Sequence, residues 1–174
     1  VQRWMGIVTA AFLLGAAAGG LVFGWLGDRI GRVRAMTASI LCYSLFTGLC
    51  YLATAPWHLA VLRFIAALGM GGEWALGVAL VMESWPENRR PLLAGLIGAA
   101  ANVGYCLVAG LAIGIHITSD SWRWVMMVGA APAALTFFIR LFVPESERWK
   151  SSVQSQVARP IREVLSPPLR SRTL

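Results

Sequence analysis

Hydrophobic residues in this chain fall in long blocks, each broken by a short polar stretch, rather than in the stripes of an amphipathic fold. Five blocks have about the twenty residues needed to cross a hydrocarbon core of about 30 Å. They run over 5–27, 35–55, 59–82, 91–115 and 122–143. The pattern predicts an all-α polytopic transmembrane bundle over 1–143, followed by a polar tail over 144–174. Tryptophans mark the block ends. Trp4, Trp57, Trp122 and Trp124 stand at one set and Trp25, Trp85 and Trp149 at the other, as in the aromatic belts of membrane proteins. Trp74 alone falls in mid-block.

Composition agrees with lipid as the outer solvent: of 174 residues, 57% are hydrophobic and 13% charged, with a mean hydropathy of +0.66. The net charge of +7 is set by where the basic residues lie. Arg29, Arg32, Arg34, Arg89, Arg90, Arg148, Lys150, Arg159, Arg162, Arg170 and Arg172 fall on one side of the predicted topology, against Arg3 and Arg123 on the other. That asymmetry orients the chain with its C-terminus in the cytoplasm and is not a nucleic-acid signal. The expected location is the cell membrane (plasma or inner). A first span that begins almost at once, with an outside N-terminus, suggests a preceding span and hence an internal fragment. The tail, with Pro160, Pro167 and Pro168, suits a cytoplasmic connection carrying a short interfacial helix near 161–165. Cys42, Cys50 and Cys106 lie within apolar blocks without metal-ligand spacing and are read as reduced packing residues. No cofactor or metal is expected. An enzyme is not expected either, since no nucleophile has a partnered base.

The polar residues inside blocks carry the chemistry. Arg63 and Glu73 are ten residues apart on the third block, hence about 15 Å along its axis and about 80° around it. Too far apart to neutralise each other, each needs a partner on another helix or in a wet cavity. A charge near the bilayer centre costs about 2.5 kcal/mol or more, which makes a functional role the default. Glu73, Trp74 and Asn102 fall at similar depth and could line a polar cavity; interhelical glue for Asn102 and lipid contact for Trp74 are the structural alternatives. Arg140 is placed to snorkel. Gly15, Gly19, Gly20 and Gly24 have GxxxG spacing and imply a close helix contact, and Pro132 predicts a kink in the fifth span. Asp28 closes the first block, where a helix dipole disfavours an anion, so it too needs a cationic or helix-N-terminal partner.

The sequence GWLGDRIGRVR, Gly24 to Arg34, resembles the signature loop of the major facilitator superfamily at Gly24, Asp28, Arg29, Gly31 and Arg32. GGEWALGVALVMESWPENRRP, Gly71 to Pro91, resembles the fourth-helix end and following loop of its sugar-porter and organic-acid symporter branches, with Glu83, Pro86 and Arg90 in order. PESERW, Pro144 to Trp149, resembles the end of their sixth helix. The resemblance covers helices two to six of twelve. It implies the N-terminal half of a transporter without helix one, a bundle that rocks against a C-terminal half around a midplane site. It further implies proton-linked symport of a small molecule, a sugar or a carboxylate. Arg63 resembles a fourth-helix arginine that pairs with an acid on helix one. Gly24, Asp28, Arg29, Gly31, Arg32, Glu83 and Arg90 would form a cytoplasmic gate, and Arg63, Glu73, Trp74 and Asn102 the solute or proton pathway. The fourth span lacks the Gly-Pro motif of drug antiporters. A non-transporting receptor or scaffold with the same fold is the alternative.

Overall fold

A computed structural model describes residues 2–114, 118 and 121–154, leaving aside the side chains of Phe137, Arg140, Arg148 and residues 152–154. The expected snorkelling of Arg140, the interfacial helix near 161–165 and the tail from 155 onward therefore lie outside what is described. Every element among the described residues is helical: α1 Gln2–Ile30, α2 Arg32–Leu49, α3 Pro56–Ser84, α4 Arg90–Gly114, α5 Trp122–Val128, α6 Ala133–Phe142 and α7 Glu147–Gln154. Short 3₁₀ turns at Cys50–Leu52 and Glu87–Arg89 close the connections after α2 and α3.

Four helices are long and apolar enough to cross a membrane: α1, α2 with its 3₁₀ turn, α3, and α4 with the turn before it. They match the first four predicted spans and extend them by a few residues at most ends. Over the predicted fifth span the helix is interrupted at 129–132, between α5 and α6. The expected kink at Pro132 is there as a tightened segment, in which Ala130, Ala131 and Ala133 donate three residues back. Proline has no N–H to continue the ladder, and its ring crowds the carbonyl four residues earlier. Gly129 also lies where a Cβ would press on Thr47, so this junction packs closely on α2.

The core forms where α1, α2 and α3 meet. α1 and α3 run parallel with backbones nearly touching: a Cβ on Gly15, Gly19 or Gly71 would strike the facing Phe64, Leu68 or Ala16 main chain. The glycine spacing seen in sequence is thus a close contact at Gly15 and Gly19. Gly20 comes only near Gly71, and Gly24 meets nothing within 4 Å. α2 runs antiparallel to α3, with Ser39 Oγ donating to the Gly69 carbonyl at 2.5 Å and Cys42 Sγ to that of Ile65 at 3.5 Å. Cys50 is buried and Cys42 half-buried, as packing residues should be, but Cys106 is exposed. α4 buries no residue, and its Gly95, Gly98, Gly104 and Gly110 have open space where a Cβ would stand. Large apolar side chains such as Leu21, Leu92, Leu107 and Phe142 point outward, the surface of a protein solvated by lipid.

Candidate functional site

α1 and α3 are both 29 residues long and parallel, which brings their C-terminal ends, and with them Asp28 and Glu83, to the same level. The chain reverses at Gly31 and starts α2 with Arg32 between the two acids. Arg32 Nη1 lies 2.7 Å from Asp28 Oδ1, and its Nη2 and Nε donate to Glu83 Oε1 at 2.9 and 3.1 Å. Arg32 and Glu83 are 16% and 19% exposed, enough shielding for charge-assisted hydrogen bonds to hold the three helix ends together. Glu83 Oε2 is buried without a hydrogen-bond partner among the described residues. Asp28 has found the cationic partner its position demands, one turn along the chain.

A third acid completes the cluster. Gly31, at φ +112°, leaves α2 with no side-chain cap. Glu145 supplies one from the far end of the chain: its Oε2 accepts the Val33 N–H at 3.1 Å and its Oε1 the Arg34 N–H at 3.0 Å. An anion at a helix N-terminus satisfies orphan amides and matches the dipole. Four residues on, the Trp149 indole N–H donates to the Asp28 carbonyl at 2.9 Å, at the end of α1. The link between α6 and α7, together with the first turn of α7, thus clasps both sides of the α1–α2 turn. Sequence reasoning quoted Pro144 to Trp149 as a motif but gave Glu145 no role and placed Trp149 in an aromatic belt. The usable signal was the missing N-cap: with glycine ahead of Arg32 and no Ser, Thr, Asp or Asn beside it, the acceptor had to come from elsewhere.

The remaining residues of the predicted gate stand apart. Arg29 stacks on Trp25 with its guanidinium 4.2 Å from the ring centroid. Arg90 turns to its own loop, pairing with Glu87 Oε1 at 3.3 Å and the Trp85 carbonyl at 3.2 Å. Gly24 makes no tight contact.

Within the spans, Arg63 and Glu73 do turn to different helices. Arg63 Nη2 reaches Met126 Sδ on α5 at 3.6 Å, and its Nε is buried without a hydrogen-bond partner among the described residues. Glu73 is half-buried, with Tyr43 of α2 among its neighbours. Trp74 is 56% exposed. Asn102 is exposed and donates to Gly98 of its own helix at 3.0 Å. The sequence reading did not name Tyr43 beside Glu73, and among the described residues no hydrogen bond joins Glu73 to Trp74 or Asn102. Among the described residues no cluster of His, Cys, Asp or Glu is arranged to hold a metal ion.

Comparison with known proteins places this geometry. A "Putative metabolite transport protein" of Haemophilus influenzae is 38% identical over 159 residues, covering 91% of this chain and 38% of that relative. The sialic acid transporter NanX of Escherichia coli is 36% identical over 143 residues, covering 82% and 35%. The cis,cis-muconate transport protein of Acinetobacter baylyi is 35% identical over 147 residues, covering 84% and 35%. The chain thus spans little more than a third of these relatives' length. Among solved structures, the E. coli xylose transporter XylE in a partially occluded inward-open state superposes with a TM-score of 0.75, at 21% identity over 97% of this chain and 45% of that one; the likeness establishes the fold. The sequence model of the Major Facilitator Superfamily matches residues 4–174. The chain is a multi-pass membrane segment belonging to the Major Facilitator Superfamily.

Proposed function

We propose that this chain forms helices two to six of a twelve-helix transporter that moves a small polar solute, a sugar or a carboxylate, across the cell membrane by alternating access. The observation that carries the reading is the Asp28–Arg32–Glu83 cluster at the converging ends of three helices, with Glu145 capping the turn between them. Such a cluster holds the ends together through charge pairs that a rigid-body motion can break and remake. The spare Glu83 Oε2 suits a donor from the half of the transporter not in this chain. The open glycines of α4 suit a close-packed neighbour, helix one or the other half.

Arg63 and Glu73 are the pathway residues in this reading, since ionisable side chains inside spans are costly to keep. Sialic acid and cis,cis-muconate, named for two relatives, are both carboxylates that a cationic Arg63 would attract. Glu73 is the group to exchange a proton, giving symport. The basic connections and tail put the C-terminus in the cytoplasm, and with it the charged cluster. The test is uptake by the complete transporter reconstituted in vesicles, with an imposed proton gradient and labelled sialic acid, cis,cis-muconate, D-xylose and phosphate. Accumulation of one of them that collapses with the gradient is expected. Uptake that ignores the gradient would remove the coupling, and binding without accumulation would point to a receptor.

A further inference from the structure

The α2 face that meets α3 is polar where its neighbours are apolar. Ser39 and Cys42 bond to the α3 main chain, and Tyr43 lies so close that a Cβ on Gly69 would stand 2.6 Å from its nitrogen. Helical side chains lean toward their own N-terminus. Because α2 and α3 are antiparallel, the Tyr43 phenol leans in the direction that α3 takes from Gly69 to Glu73. Those two residues are one helical turn apart, about 6 Å along the axis. Gly69 clears the path, so the lean and the register together carry the phenol toward the level of the Glu73 side chain. A carboxylate half-buried between apolar helices is held there at a large desolvation cost unless a donor meets it.

We propose that Tyr43 is the positioning residue of the membrane pathway: its hydroxyl donates to the Glu73 carboxylate and fixes that carboxylate on the α2 side of α3. The proposal rests on Glu73 being a pathway residue. It makes α2 part of the site, through a side chain that reaches Glu73 and has no contact with solute of its own.

The complete transporter in membranes can be treated with N,N′-dicyclohexylcarbodiimide, a lipid-soluble carboxyl reagent, with labelling at Glu73 identified by its loss in Glu73→Gln. A carboxyl released from its donor is freer to add to the reagent. Tyr43→Phe keeps the ring that packs on Gly69 and should speed labelling about tenfold, the scale of one hydrogen bond to a charge. Ser39→Ala, which removes a neighbouring α2–α3 bond without touching Glu73, should leave the rate alone. Uptake of whichever solute of the panel the parent accumulates should show a several-fold higher half-saturating concentration in Tyr43→Phe only. An unchanged labelling rate in Tyr43→Phe overturns the contact. Equal acceleration by Ser39→Ala overturns it too, because loosened helices then explain the result. Faster labelling with unaltered uptake overturns the positioning role. Parent-like uptake by Glu73→Gln overturns the pathway reading instead, and is recognised by the labelling difference persisting beside it.

Discussion

Gly31 and Gly24 belong to the same loop signature and are under opposite constraints. Gly31 has φ +112° and ψ 149°, a region essentially reserved for glycine, and a Cβ there would stand 2.5 Å from Glu145 Oε1. Gly31→Ala should therefore cost about 1–3 kcal/mol, read as a lower thermal midpoint of the complete transporter in detergent. Gly24→Ala adds a methyl to open space within a helix and should leave that midpoint unchanged or slightly raised. The charges divide in the same way. Arg32→Met strips from Glu83 Oε1 its one hydrogen-bond donor among the described residues, and the ion pair from Asp28 at once, whereas Glu83→Gln leaves the Asp28 pair intact. The arginine variant should lose more stability by the same measurement, by about 2 kcal/mol. Asp28→Asn keeps a hydrogen-bonding group beside Arg32, so its expression should persist while uptake falls; normal uptake kinetics would count against a switching role.

At the scale of elements, α2 begins under an acid that lies 112 residues further along the chain. Glu145→Ala removes the acceptor of the Val33 and Arg34 amides, and their hydrogen exchange should quicken about tenfold while the amides of mid-α3 do not change. Uniform acceleration would mean that Glu145 supports the whole bundle instead of one helix end. This clasp shows what the sequence could and could not tell. Span positions were legible because lipid demands some twenty apolar residues in a row, a signal local to each block. The need of Asp28 for a cationic or helix-N-terminal partner was legible from its place at a helix end; that the cation is Arg32 was not, because the turn at Gly31 that brings them together is not a local pattern. Tyr43 with Glu73, and Glu145 with α2, were not, because nothing in the local pattern at either residue encodes contacts across 30 or 112 positions. Arg90, which its motif placed in the gate, takes a local partner that the motif did not name, Glu87, three residues away.

For the molecule as a whole, α1, α2 and α3 form a joined unit by backbone contact and charge, whereas α4 buries nothing of itself against them. The chain on its own should accordingly give no solute accumulation in vesicles above empty ones, even with a proton gradient, because alternating access needs a second body to rock against. Accumulation by the chain alone would replace the half-transporter reading with a small self-assembling carrier. Orientation is open to a separate measurement. With Cys42, Cys50 and Cys106 replaced, a cysteine at the exposed Ser151 should react with an impermeant maleimide only after permeabilisation. Reaction in intact cells would invert the topology.

The clasp also has a consequence in time. A ribosome adding about 5–20 residues per second reaches Glu145 some 6–22 s after Val33, given the 112 positions between them. Through that interval the amides of Val33 and Arg34 lack the acceptor that Glu145 gives them in the folded chain. Trp149 follows later still, 121 positions after the Asp28 carbonyl it closes upon. The turn that comes early in synthesis is thus among the last places to be secured. A pause, a premature stop or a nick anywhere between the two leaves a finished helix pair with its end unfastened.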